Sequence, residues 1–329
     1  MIHQEIGIDL GTANTLIYRS HKGLVYNEPT VIAVNKGSNR VLAVGTEAKE
    51  MLGRTHDGVK AVKPLLQGII SNYEYAELML KYCLQKTGGT GLFKPNITIC
   101  VPSGVSEIER RAVEEVSYRL GARNVFILDE PIAAAVGIGI DINGAVGNML
   151  IDVGGGTTDI AVISLGGLVT NTSVKLASDD FDNAIIKLVR EVHHVLIGEL
   201  MAEKIKMKLG TVDSKYEYKE MTVSGLDMVK GIPQIIKVNS TEIKNILMPI
   251  ALILTEQVQQ VLERTPPELV ADIGLKGIVL TGGGSCLDGI DKLIEEKIGV
   301  SVKRAEEPLS SVGTGLMKKI NGKYIKVKN

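Results

Sequence analysis

Two segments far apart in the chain carry the same chemistry in the same order. Asp9-Leu10-Gly11-Thr12-Ala13-Asn14-Thr15 and Asp152-Val153-Gly154-Gly155-Gly156-Thr157-Thr158 share the pattern Asp-x-Gly-x-x-x-Thr, the second lying 143 positions after the first. A third glycine run, Thr281-Gly282-Gly283-Gly284, follows another apolar stretch. Glycine lets the main chain approach a ligand without a Cβ clash and aim its N–H groups at phosphate oxygens. Hydroxyls at Thr12, Thr15, Thr157 and Thr158 add donors. An aspartate at the head of each loop is unfavourable beside phosphate unless a cation intervenes. The pattern therefore implies Mg²⁺, held mostly through water by one or two carboxylates. One such turn alone would be weak evidence, but three, two of them repeats, point to a phosphate clamp.

The elements that must carry these loops are legible around them. Glu5 to Asp9 and Thr15 to Tyr18 read as the arms of a β-hairpin, and the segments beginning at Asn148 and Thr158 repeat it. The domain-sized spacing argues that the chain is two related halves. Between them, Asn96 to Val101 reads as a buried strand bounded by Pro95 and Pro102. A helix follows with Ser103 or Ser106 as N-cap and Glu109 as capping-box partner, ending at Gly121. Val125 to Leu128 reads as a strand, and Glu130-Pro131 opens a small-residue helix over 132–140. Helical patterns cover 181–209 and 240–264, and Gly277 to Leu280 is a strand leading into the last glycine loop. Alternating strands and helices predict helix-covered parallel or mixed sheets, with the halves packed around a cleft.

Composition narrows the class. The 329 residues are 44% hydrophobic and 23% charged, ordinary for a globular chain of about two domains. Lys+Arg 37 against Asp+Glu 38 leaves no basic excess for nucleic acid. Cys83, Cys100 and Cys286 form no CxxC pair, so neither a disulfide framework nor a zinc site is expected. The N-terminus lacks a signal-peptide pattern, and no apolar run reaches 18 residues; a cytoplasmic chain is expected. Neither a Walker A loop nor GxGxxG occurs, which removes the main support for a P-loop ATPase or a Rossmann dehydrogenase. The adjacent His193 and His194 cannot face one ligand from a helix and read as surface residues.

The hairpin loops resemble those of the actin/heat-shock-chaperone/sugar-kinase ATPase superfamily. Within it, the chain resembles the MreB family of bacterial actin homologues over almost its full length. Ile8-Asp9-Leu10-Gly11-Thr12-Ala13-Asn14-Thr15, Asn27-Glu28-Pro29-Thr30, Val101-Pro102-Ser103-Gly104-Val105, Glu109-Arg110-Arg111-Ala112-Val113, Glu130-Pro131-Ile132-Ala133-Ala134-Ala135 and Thr265-Pro266-Pro267-Glu268-Leu269 carry the likeness, in order. The resemblance implies an α/β, actin-like ATPase fold: two duplicated lobes, four subdomains, around a central nucleotide cleft. It divides the chain into subdomain IA (1–32 with 67–144 and 308–329), IB (33–66), IIA (145–180 with 250–307) and IIB (181–249). It implies that ATP and Mg²⁺ are bound, that Glu130 polarises the attacking water, and that Thr158 helps orient it. Asp9 and Asp152 would hold hydrated Mg²⁺. Gly11, Thr12, Ala13, Asn14, Gly154, Gly155, Gly156 and Thr157 would contact phosphates. Glu203 and Lys206, one helical turn apart, would contact adenosine, with Gly282, Gly283 and Gly284 closing over the nucleotide. Three positions depart from the family pattern. Asp159 stands in place of glutamate, Ser178 replaces a glycine near the nucleotide, where its Cβ and hydroxyl are expected to crowd the cleft, and Ser285-Cys286 follow the last loop.

The resemblance also implies head-to-tail homopolymeric filaments, other cytoskeletal paralogues as partners, and peripheral attachment at the inner face of the cell membrane. Leu92 and Phe93, on the loop Gly88-Gly89-Thr90-Gly91, are expected to insert into the bilayer. The C-terminal lysines Lys318, Lys319, Lys323, Lys326 and Lys328, with no acid among them, suit an anionic leaflet. The implied function is a cytoskeletal ATPase of slow turnover that governs cell shape. The alternative on the same fold is a sugar- or acetate-type kinase, but the chain has no insertion to build an acceptor pocket. A heat-shock chaperone would need a peptide-binding domain for which no residues remain.

Overall fold

The computed structural model describes residues 4–88 and 94–322. The first half contains β1 (Glu5–Leu10), β2 (Asn14–Arg19), β3 (Gly23–Pro29), β4 (Ile32–Asn35), β5 (Val41–Val44), α1 (Thr46–Glu50) and β6 (Val59–Val62). A two-residue-arm hairpin, β7 (Leu65–Leu66) and β8 (Ile69–Ile70), leads to α2 (Tyr73–Lys86), β9 (Asn96–Val101), α3 (Glu107–Arg119), β10 (Asn124–Asp129) and α4 (Glu130–Gly137). The second half runs β11 (Asn148–Val153), β12 (Thr158–Ser164), β13 (Gly167–Val174), α5 (Ser178–His193), β14 (Val195–Leu196) and α6 (Glu199–Leu209). It continues through β15 (Glu220–Asp227), β16 (Pro233–Asn239), α7 (Ser240–Glu263), α8 (Pro267–Lys276), β17 (Ile278–Thr281), α9 (Ile290–Ile298), β18 (Val302–Arg304) and α10 (Ser311–Ile320).

The duplication read from the loops extends to whole sheets. One five-stranded sheet has the order β3-β2-β1-β9-β10 and the other β13-β12-β11-β17-β18. In each, the hairpin pair and its third strand are antiparallel, while the two strands on the far side are parallel. Asp9 lies in register between Leu16 and Cys100, and Asp152 between Asp159 and Thr281. Both aspartates thus occupy the same station of the same topology. Smaller sheets, β5-β4-β6 and β14-β15-β16, lie outside this repeat.

Helix limits follow local chemistry. The α3 capping box is present: Ser106 Oγ accepts from Glu109 N at 3.3 Å, and Glu109 Oε2 accepts from Ser106 N at 2.6 Å. The helical pattern over 181–209 is two helices, because His194 turns left-handed (φ 54) and the chain then adds β14 to a sheet edge. The helix expected over 132–140 ends at Gly137, and the chain has left helical geometry by Gly139 (φ 83).

Each half has its own apolar core. A third cluster, including Leu16, Leu128, Ala133, Leu150, Ala161 and Leu316, draws from both sheets and from α4 and α10. These helices approach closely: a Cβ on Gly315 would lie 1.8 Å from the Ala133 carbonyl oxygen, and one on Gly137 at 1.8 Å from that of Ser311. Among the described residues no helix is long and apolar enough to cross a membrane.

Candidate functional site

The two hairpin loops meet. A Cβ on Gly155 would lie 2.8 Å from Ala13 Cβ, and one on Gly156 would lie 2.7 Å from Thr12 Oγ1 and 2.9 Å from Gln67 N. Small residues at these positions allow main chains from opposite halves to come together, leaving N–H groups available to a ligand between them. The second loop is held by Gly154 N donating to Thr157 O (2.9 Å) and by Asp179 N donating to Gly155 O (2.8 Å). The first is held by Thr30, whose hydroxyl donates to Gly11 O (2.7 Å) and whose N–H donates to Ala13 O (2.9 Å).

A cleft of about 440 Å³ opens above this contact, within the range of small-molecule and cofactor sites. Asp9, Gly11, Thr12, Ala13, Asn14 and Glu130 line it from the first half. Asp152, Gly154, Gly155, Gly156, Thr157, Glu203, Lys206, Gly282 and Gly283 line it from the second. Gly284 lines an adjoining pocket of about 240 Å³, which shares Ser178, Lys206, Met207, Gly283 and Cys286 with the cleft. Two of the four threonine hydroxyls turn inward instead. Thr15 pairs with Thr30 (2.9 Å), and Thr158, fully buried, donates to Leu176 O (2.7 Å). Thr12 Oγ1 accepts from Gly68 N (2.9 Å), which leaves its own proton for the cleft.

The floor is a cluster of carboxylates. Burial pushes Asp9 and Asp152 up to about 7 each, and nearby Asp159 and Asp9 add to the shift at Asp152. Glu130, at the start of α4, is raised well above the ordinary glutamate value, first by burial and then by Asp159, Asp9, Asp152 and Asp129. Such crowding is tolerable where a cation belongs. Among the described residues, no group of three or more His, Cys, Asp or Glu side chains could hold an ion directly. Two hard carboxylates facing one cleft fit Mg²⁺ bound mainly through water. The fully buried Thr281, register partner of Asp152, works against the upward shift of that aspartate through its hydroxyl.

Ser178 does not simply crowd the cleft. Lys206 Nζ donates to Ser178 O (3.1 Å), Ser178 Oγ (2.7 Å) and Asp182 Oδ2 (2.8 Å), so Ser178 helps to hold the lysine. Glu203 Oε2 meets Lys49 Nζ at 2.7 Å. His193 is not a free surface residue: its Nε2 lies 3.1 Å from Glu242 Oε2.

Several lining residues carried no sequence signal of a site. Met207 and Leu309, 80% and 70% exposed, and Pro308 and Val312 supply apolar wall. Gln67-Gly68, with φ 50 and 76, forms the β7–β8 turn beneath the second loop. Its two-residue spacing between apolar pairs is a hairpin signal that could have been read. Cys83 and Cys100 are buried and Cys286 is exposed beside the cleft, all three as free thiols. Of the residues expected at a membrane, Leu92, Phe93, Lys323, Lys326 and Lys328 lie outside the described residues. Lys318 and Lys319 sit in the last turn of α10, where Lys318 Nζ donates to the Val136 (2.7 Å) and Gly137 (3.2 Å) carbonyls that end α4.

A family model described as MreB/Mbl protein matches residues 3–327. The cell shape-determining protein Mbl of Bacillus subtilis (strain 168) is 45% identical over 320 residues, 96% of each chain. The cell shape-determining protein MreB of Escherichia coli (strain K12) is 42% identical over 321 residues, 96% of this chain and 92% of that one. A solved structure of MreB5 of Spiroplasma citri bound to AMPPNP has a TM-score of 0.92 at 38% identity, covering 98% of this chain and 97% of that one. The MamK double helical filament, at TM-score 0.82 and 21% identity, covers 99% of this chain and 100% of that one and shares the fold.

Proposed function

Because the chain belongs to the MreB/Mbl family, we propose that it is a bacterial actin-like cytoskeletal protein that binds and slowly hydrolyses ATP and forms membrane-associated filaments governing cell shape. The observation that carries the nucleotide part is the convergence of Asp9 and Asp152, at matching stations of two identically ordered sheets, on one cleft whose walls are glycine-rich loops. The relatives' names supply the cell-shape part, and the AMPPNP bound to the Spiroplasma citri protein supports the choice of nucleotide. A small-molecule kinase is not favoured by any of these relatives.

In this reading the N–H groups of Gly11, Thr12, Ala13 and Asn14 receive the phosphates from one side and those of Gly155, Gly156 and Thr157 from the other. Gly154 contacts them as the turn its own N–H closes onto Thr157 O. Asp9 and Asp152 hold Mg²⁺ through water, and the ion supplies charge neutralisation for the phosphoryl oxygens. Glu130 orients the attacking water and accepts its developing proton; its raised proton affinity, set by burial and neighbouring carboxylates, suits a base. Thr158 supports that step by anchoring the end of the loop through its bond to Leu176 O, and its hydroxyl oxygen keeps lone pairs that can accept from the water. Glu203 and Lys206 face the adenosine, and Gly282, Gly283 and Gly284 close over it. Positioning and charge neutralisation supply most of the acceleration in such a transfer to water.

The four-subdomain division carries over as a proposal: IA (1–32, 67–144, 308–329), IB (33–66), IIA (145–180, 250–307) and IIB (181–249). Attachment at the inner membrane face rests on Leu92, Phe93 and the C-terminal lysines, each lysine near an anionic surface contributing about 1 kcal/mol. Lys318 contributes least, being occupied at the end of α4. Self-assembly and copolymerisation with paralogues complete the reading. Calorimetry with ATP, with and without Mg²⁺, followed by electron microscopy, tests it. Magnesium-dependent binding and nucleotide-dependent filaments are expected; no heat with Mg-ATP would overturn it.

A further inference from the structure

The contact between the halves is not confined to the phosphate loops. Asp159, on β12 and 1% exposed, accepts two hydrogen bonds at its Oδ1 from the first half: one from Ser103 N (2.7 Å) and one from Ser103 Oγ (2.6 Å). Next to it, a Cβ on Gly104 would lie 2.6 Å from Ser173 Cβ, so the Ser103-Gly104 turn is pressed onto β12 and β13. Asp159 is not among the residues that line the cleft. Its register partners are Asp152 on one side and Ser173 on the other.

The clamped turn connects to Glu130 through the first half's own framework. Ser103 follows β9 and Glu130 follows β10, adjacent parallel strands in which Val101 is the partner of Asp129. Beyond the turn, α3 is fixed by its capping box, and Arg110 on α3 forms an ion pair with Asp129, the N-cap residue of α4 immediately before Glu130. A continuous set of bonds therefore runs from Asp159 through the Ser103 turn, α3, Arg110 and Asp129 to the start of α4.

We propose that Asp159 is a positioning residue for ATP hydrolysis: by clamping the Ser103 turn across the two halves it fixes the distance between Glu130 on one and the loop 154–157 on the other. This rests on the functional reading above. Near-attack geometry is sensitive to small displacements, so loosening the clamp lowers turnover of bound ATP while leaving the loops that bind it intact.

The test measures single-turnover hydrolysis and binding stoichiometry of Mg-ATP on wild-type, Asp159→Ala, Asp159→Asn and Ser103→Ala full-length chains. Asparagine keeps an acceptor for both Ser103 donors; alanine removes it. Asp159→Ala is expected to hydrolyse bound ATP about tenfold more slowly and Ser103→Ala about fivefold; Asp159→Asn, which keeps the acceptor but removes a charge facing Glu130, is expected to fall between wild type and Asp159→Ala. One ATP per chain and little change in affinity are expected throughout; a merely destabilised chain would instead bind substoichiometrically. If Asp159→Ala fails to bind one ATP per chain, Ser103→Ala is read against wild type. A slower Ser103→Ala supports the clamp, and equal rates overturn it. Wild-type turnover in Asp159→Ala, or an Asp159→Asn as slow as Asp159→Ala, overturns the inference alone. A wild-type chain that binds no Mg-ATP, or never turns it over, overturns the functional reading and this inference with it.

Discussion

Lys49 on α1 and Glu203 on α6 meet between the two halves, with Nζ and Oε2 2.7 Å apart. Lys63 makes the same crossing, to Glu199 at 3.0 Å and Asp179 at 3.7 Å. Every cation of this group comes from the first half and every anion from the second.

This arrangement makes an electrostatic latch between the halves, beside the cleft. The pairs are partly exposed, so each is worth only about 0.2–1 kcal/mol and is weakened by salt. Reversing Lys49 and Lys63 to glutamate replaces attraction by repulsion, and the double variant should release a fluorescent ATP analogue about three- to tenfold faster than wild type. Wild-type release should itself accelerate with ionic strength. Stopped-flow release rates indifferent to both salt and substitution would remove the latch.

Asp9 and Asp152 set a pH dependence whose sign is fixed. Burial holds both near 7, above the unfolded value of 3.8. A raised carboxyl contributes stability that is present in full below the unfolded value and lost as pH rises through the folded one. The metal-free chain should therefore lose thermal stability between about pH 4 and about pH 7 from these groups. Holding Mg²⁺ needs both carboxylates ionised, so Mg-ATP binding should strengthen over the same interval and release protons at about pH 6 but not at about pH 8.5. Calorimetry in buffers of different ionisation enthalpy measures this, and equal proton release at both pH values would contradict it.

Gly315 is the tightest point of the α4–α10 contact, its absent Cβ only 1.8 Å from the Ala133 carbonyl oxygen. Both groups are helix backbone, which cannot turn aside as a side chain can. Gly315→Ala should cost about 1–3 kcal/mol or more, despite the better helix propensity of alanine. Denaturant unfolding checks the sign; a stabilised variant would mean that the two helices are free to separate.

What could be read in the sequence was whatever is encoded locally. The hairpins around Asp9 and Asp152, the Ser106–Glu109 capping box and the Glu130-Pro131 helix start each depend on residues within a few positions, and their repeat spacing carried the two-lobed fold. The pairing of Lys49 with Glu203, the seat of Gln67-Gly68 beneath Gly156, and the Asp159–Ser103 clamp each join distant parts of the chain. Only tertiary packing specifies them. Hydroxyl direction was equally hidden: nothing beside Thr15 in sequence reveals that Thr30 will take its hydrogen bond.

Ser178, expected from its bulk only to crowd the cleft, has a local task. Its Oγ accepts one of the three hydrogen bonds made by Lys206 Nζ, the others going to Ser178 O and Asp182 Oδ2. Asp182 itself is raised to about 6 by burial, opposed by Lys206, and its other oxygen has no partner in the protein. With all three donors occupied, the ammonium is held at one point in the wall of the cleft. Ser178→Ala removes one acceptor without adding backbone freedom. The lysine should then sample other directions, weakening ATP binding about threefold to tenfold, in keeping with one lost hydrogen bond to a charged group. Hydrolysis of bound ATP should hardly change, because Glu130 and the loop 154–157 are untouched. Affinity and single-turnover rate measured on the same sample separate the two effects. Unchanged affinity would return Ser178 to the role its bulk first suggests, a side chain that merely narrows the cleft.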